Sequence, residues 1–301
     1  MINAPNTSAS LYSLHVSSWD CYVWLDAHED FAEPHVQPQQ PLLSGMLPPM
    51  FDMDPYLAAT IVAYNAEYHL QLGLHKIYVY CMRSMLSTYR AHARLKSLQK
   101  AGQVQLMPFE FFPQYQAKPS RLKFLAAAHM VLGLWGSGEY VTIADVDELM
   151  ALPIGLTVPL FLKNSVGSSP LVRLQQFNVV CGNCTGAEID IWQSASSTSP
   201  LLQYDSLAGH EPTFAGKCIV NPDLVHGLSI HDGNVLAGGR SVDLLPEQAY
   251  FVHMKNLYRM RVVRDSDASD SFVEWQWPLR RSSLNRGPRR QRSHRVIQQF
   301  Y

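Results

Sequence analysis

The sequence predicts an α/β fold with a mostly parallel sheet flanked by helices. Three observations carry this. Short apolar strands alternate with helical patterns between residues 55 and 144. Capping residues and glycines punctuate those helices at their ends. The 301 residues are 47% hydrophobic and only 16% charged, which supplies a sizeable core and excludes a disordered polyampholyte.

Residues 1–50 are the least readable. Leu11 to Val16 fits a strand, and Glu33 to Pro49 is a Pro- and Gln-rich connection. Pro55 opens a helix preceded by the capping candidates Asp52 and Asp54. Leu57, Ile61, Tyr64 and Tyr68 recur at helical spacing, and Gly73 stands where a helix should stop. Lys76 to Tyr80 is a short buried strand. A second helix runs from about Leu86 to Lys100 and ends at Gly102. Val104 to Phe109 is the next strand, and Ser120 caps a third helix over about Arg121 to Leu134. Tyr140-Val-Thr-Ile-Ala144 is then a strand that runs directly into Asp145. Open sheets of this kind bind ligands at the carboxyl ends of their strands.

From about residue 170 the pattern changes. Leu171 to Val180, Cys218 to Val220, Leu228 to His231 and Ala249 to His253 read as short extended segments between Gly, Pro and Ser clusters. We read this half as a mixed acceptor-binding region with little helix. The domain is expected to span 51–278, followed by an arginine-rich tail over 279–301. No acidic residue follows Glu274, while Arg280, Arg281, Arg286, Arg289, Arg290, Arg292 and Arg295 crowd together. Such a run reads as a solvated tail dispensable for the fold, and no nucleic-acid partner is expected. The five cysteines are scattered, and the lone Cys181-Gly-Asn-Cys184 pair makes neither a disulfide framework nor a zinc site. The longest apolar run, Phe124 to Trp135, falls short of the ~20 residues a bilayer needs. No secretory signal opens the chain, so it is expected to be soluble as given, without a membrane span.

The chemistry concentrates at Asp145-Val-Asp147-Glu148. Two carboxylates two residues apart beyond a buried strand suit one hard cation, Mn²⁺ or Mg²⁺, which also accepts diphosphate oxygens. Such a metal would neutralise charge on a nucleotide diphosphate leaving group.

Four blocks carry a resemblance. Tyr56-Leu57, Glu67-Tyr68-His69, Leu72-Gly73 and Ile77 to Tyr80 form the first. Tyr140 to Met150 forms the second. Gly216 to Pro222 with Gly227 to His231 forms the third, and Phe251 to Lys255 the last. In this order and spacing the chain resembles glycosyltransferase family 92 and the related family-2-like enzymes. The resemblance implies a GT-A-type (Rossmann-like) fold and a manganese-dependent hexosyltransferase. It implies transfer of a hexose, galactose first among them, from a UDP-sugar donor to a glycan or glycoprotein acceptor with inversion. It also implies the Golgi lumen or its membrane as the place of action.

Asp145 and Asp147 are then the catalytic metal site, with His253, or His231 as the alternative, as a third ligand, and Lys217 as a candidate phosphate contact. Lys217, His231 and Glu211 are substrate-binding candidates, and Glu188 and Asp190 candidates for the base that deprotonates the acceptor. Glu211 stands beside them as a third candidate base. The chain departs from the family pattern at three places. It has no Asn-Glu ahead of Pro55, it carries Cys81 where an Asp is usual, and it has Met254 after the last histidine. Two alternatives stay open. A metal-dependent nucleotidyltransferase or phosphohydrolase would need further acidic ligands near Asp145, where the sequence offers Glu148. A carbohydrate-binding protein on a catalytically decayed transferase fold would bind the nucleotide sugar without turnover.

Overall fold

A computed structural model describes residues 11–16, 21–26, 41–50, 53–109, 119–181, 204–207, 213–228, 233–236, 239–254 and 273–274. Strands β1 (Leu11–Val16) and β2 (Cys21–Asp26) form an antiparallel pair of their own. The main sheet begins with β3 (Leu43–Leu47), a strand within the segment Glu33 to Pro49 that the sequence reads as an irregular connection. Helix α1 (Pro55–Leu72) follows, then β4 (Ile77–Met82), α2 (Leu86–Ala91), α3 (Ala93–Lys100) and β5 (Val104–Phe109). Helix α4 (Pro119–Gly133) leads to β6 (Tyr140–Ile143) and β7 (Glu148–Ala151), and α5 (Val158–Phe161) is a single turn.

The local signals place α1 as expected. The Asp54 carboxylate accepts from the N–H groups of Tyr56 and Leu57 at 3.1 and 2.9 Å, and Pro55 takes the first turn. Gly73 ends the helix at φ +109°, where a side chain would be strained. The helix expected over Leu86 to Lys100 is two helices. His92 interrupts it with extended backbone (φ −64°, ψ 121°), its ring packed against Tyr56 and 3.3 Å from the Thr60 hydroxyl. Helix α4 starts at Pro119, so Ser120 lies within its first turn rather than before it.

The second half of the chain adds β8 (Leu171–Cys181), β9 (Tyr204–Leu207), β10 (Thr213–Val220), β11 (Val225–Leu228), β12 (Gly233–Val235), β13 (Ser241–Asp243), β14 (Tyr250–Met254) and β15 (Val273–Glu274). Strands β5, β4, β3 and β6 run parallel. Beyond β6 the order continues β10, β8, β9, β15 with antiparallel pairing, so the sheet is mixed rather than purely parallel. Parallel neighbours need long crossovers, which α1 supplies between β3 and β4, and α2 with α3 between β4 and β5. Between β8 and β14 the described residues hold only one short 3₁₀ turn, at Pro222–Leu224.

Alternation along the strands gives the sheet two apolar faces. Val79 and Leu47 pack with Ile61, Val62 and Ala66 of α1. Tyr80, Met46 and Ile143 pack with Leu125, Ala126 and Met130 of α4. No helix among the described residues is long and apolar enough to cross a membrane.

Strand β10 is irregular where it meets β8. Thr213 pairs with Gln176 and Lys217 with Leu174, with a shift of register between. Gly216 lies inside that shift, and a Cβ there would stand 1.5 Å from the Leu174 carbonyl oxygen. Only glycine permits this backbone approach. Gly216→Ala is therefore expected to cost about 3 kcal/mol or more, well above a surface substitution. Urea unfolding of the variant measures it, and a midpoint equal to that of the parent contradicts the packing described.

Candidate active site

Strand β6 stops at Ile143, and the chain turns through Asp145 and Asp147 before β7 rejoins the sheet elsewhere, paired with β14. The turn closes on itself. The Glu148 N–H donates to the Asp145 carbonyl at 2.9 Å, and the Asp145 N–H donates to Glu148 Oε2 at 2.7 Å. Helix α1 secures the far side. Asn65 Nδ2 donates to the carbonyls of Val146 and Glu148, both at 3.0 Å, and the Tyr68 hydroxyl donates to the Met150 carbonyl at 3.0 Å. The Met150 N–H donates to His69 Nε2 at 3.1 Å. That bond places the ring proton on Nδ1, which faces Asn65 Oδ1 at 2.8 Å. The Met254 N–H donates to the Asp147 carbonyl at 2.8 Å.

Antiparallel pairing sets His253 directly across from Glu148. Its Nε2 lies 3.3 Å from Asp147 Oδ2, and ligating atoms of Asp147, Glu148 and His253 lie within 4.8 Å of one another, all three side chains buried. Two oxygens and an imidazole nitrogen at such separations match the donor set of a divalent cation, whose ligands sit at about 2.0–2.2 Å.

Two lysines complete the charge pattern. Lys217 is 1% exposed, and its ammonium donates to Glu148 Oε2 at 2.9 Å and to Asp145 Oδ2 at 3.2 Å. Lys123 of α4 pairs with Asp145 Oδ1. Burial alone would raise the Asp145 carboxyl, but the Lys217 and Lys123 charges prevail and hold it well below the usual carboxylate range. Burial pushes Glu148 up, and the neighbouring aspartates add to that against the pull of Lys217. Burial also opposes the Lys217 charge, yet its two carboxylates outweigh it and keep the ammonium protonated.

The structure thus brings Asp145, Asp147, Lys217 and His253 together. Lys217 directs its ammonium at the Asp145 and Glu148 carboxylates. Glu148 joins the cluster as a third acid. Lys123 carries a charge that sequence reasoning missed, although a lysine between Leu122 and Phe124 was a signal. His231, Glu188, Asp190 and Glu211 lie outside the described residues, as does the tail over 279–301. Cys81, in place of the usual Asp, is a buried free thiol in β4.

A mixed α/β sheet with a buried acidic turn at a strand end defines a protein of the kind compatible with a GT-A-like fold. The model of glycosyltransferase family 92 matches residues 51–299, and the chain belongs to that family of glycosyltransferases. No curated protein matches the sequence. Among solved structures, one titled "Crystal Structure of a Mycobacterial Protein" is similar at 16% identity with a TM-score of 0.26, covering 55% of this chain. The chain spans 46% of the length of that protein.

Burial lowers both His69 and His129 from an ordinary 6.5 to about 4. Both are neutral in the folded protein at pH 6, whereas the unfolded chain takes up protons there. Their depressed values therefore favour the folded state above pH 6.5, and that contribution is lost as the pH falls toward 4. The urea midpoint is expected to drop across this window, less steeply in His69→Gln. A midpoint level from pH 7 to pH 4.5 contradicts the buried neutral histidines.

Proposed function

We propose that this glycosyltransferase moves a hexose, galactose by the family resemblance, from a UDP-sugar to a glycan or glycoprotein acceptor, with inversion and with Mn²⁺ or Mg²⁺. The carrying observation is the approach of His253 Nε2 to 3.3 Å from Asp147 Oδ2, with Glu148 alongside, at the end of a sheet strand. Asp145, Asp147 and His253 would hold the cation, and Glu148 would add charge beside them. A bound cation would neutralise the diphosphate as the glycosidic bond breaks. The chain's own part is preorganisation. Asn65 and His69 fix the turn, and Lys217 bridges Glu148 and Asp145 and offsets their mutual repulsion, so the acids need not reorganise when donor arrives. The acceptor's base is proposed among Glu188, Asp190 and Glu211.

The second reading is a carbohydrate-binding protein on the same fold, and the buried Cys81 favours it. Burial pushes this thiol up to about 12, so it supplies no negative charge where the family pattern has a carboxylate. Turnover separates the readings, since only the transferase releases UDP from a UDP-hexose in the presence of acceptor.

The metal proposal is tested with Asp147→Asn, which keeps the shape of a side chain only 2% exposed. Calorimetric titration with UDP in Mn²⁺ is expected to show at least a tenfold loss of affinity, while UDP affinity in chelator stays at the parent's level. Equal Mn²⁺-dependent affinity in parent and variant contradicts the proposed site.

A further inference from the structure

Asp145 carries two ammonium partners in unlike surroundings. Lys217 is 1% exposed and also holds Glu148, so it is fixed between two carboxylates. Withdrawing it would leave the buried Glu148 without its ammonium, whereas Asp145 would keep Lys123. Lys123 comes from the first turns of α4, its side chain is 23% exposed, and Asp145 is 18% exposed. This is the open side of the cluster. A four-carbon stem lets the Lys123 ammonium travel several ångströms without backbone movement.

The cluster sets three carboxylates, Asp145, Asp147 and Glu148, against these two ammoniums. Lys217 bridges Asp145 Oδ2 and Glu148 Oε2, so Lys123 stands well within a Debye length of the Asp147/Glu148/His253 donors. A dication there repels an ammonium on Asp145, and a diphosphate offers that ammonium a new partner.

We propose that Lys123 and the divalent cation compete for Asp145, and that Lys123 is the ammonium that meets the donor's diphosphate. Lys217 is then a positioning residue rather than a phosphate contact. This rests on the metal-assisted transferase reading and adds to it which lysine faces the leaving group.

The test is Lys123→Met, which keeps an unbranched stem. Free Mn²⁺ measured by electron paramagnetic resonance reports cation affinity without nucleotide. Calorimetry with UDP and with uridine, both in saturating Mn²⁺, reports the phosphate contact. The variant is expected to bind Mn²⁺ several-fold more tightly and UDP about tenfold more weakly, the loss of one charge-assisted hydrogen bond, with uridine unchanged. Lys123→Arg is expected to restore most of the UDP affinity. A parent that binds Mn²⁺ and UDP beside a Lys123→Met protein of equal affinities overturns this inference alone. So does a variant in which UDP and uridine weaken alike. A parent that binds neither Mn²⁺ nor UDP overturns the transferase reading as well.

Discussion

The site depends on how one buried helix face satisfies the turn after β6 and the edge of β7 that faces away from β14. Between β6 and β7 the chain changes neighbours, and β14 pairs with one edge of β7. Asn65, Tyr68 and His69 supply the turn and the other edge with four hydrogen bonds to residues 146–150. A buried backbone group left unpaired costs about 1–3 kcal/mol, so these side chains are as necessary as the apolar packing around them. Their neutral, buried character follows, because a charged His69 could not accept the Met150 N–H.

The same turn concentrates negative charge, and the sheet supplies the compensation. Strand β10 lies between β6 and β8, which carries Lys217 into the space beneath the acids. The register shift at Gly216 sets where that lysine emerges. Strand β14 brings His253 across from Glu148 through main-chain pairing alone. Residues more than a hundred positions apart in sequence are thus juxtaposed by sheet order rather than by any local motif.

That division explains what the sequence made legible. Helix α1 could be read because its signals are local: Asp54 at one end, Gly73 at the other and an apolar repeat between. The strand leading into Asp145 was legible for the same reason. Strand β3 was not. Its Ser44 hydroxyl is buried on Glu139, 95 positions away, a pairing no window of sequence contains. The break at His92 likewise depends on Tyr56 and Thr60 of another helix. At the site, Asp145, Asp147 and His253 could be singled out by residue type and order. The burial of Lys217 could not, since a lone lysine in a strand reads as exposed until its carboxylate partners are placed.

The central claim is that the turn after β6 forms a cation site completed by β14. Anomalous diffraction at the manganese edge, from crystals grown with Mn²⁺ and UDP, tests it directly. The account predicts a peak within bonding distance, about 2.0–2.3 Å, of both the Asp147 carboxylate and His253 Nε2. A UDP-bound crystal with no peak beside either residue would contradict it.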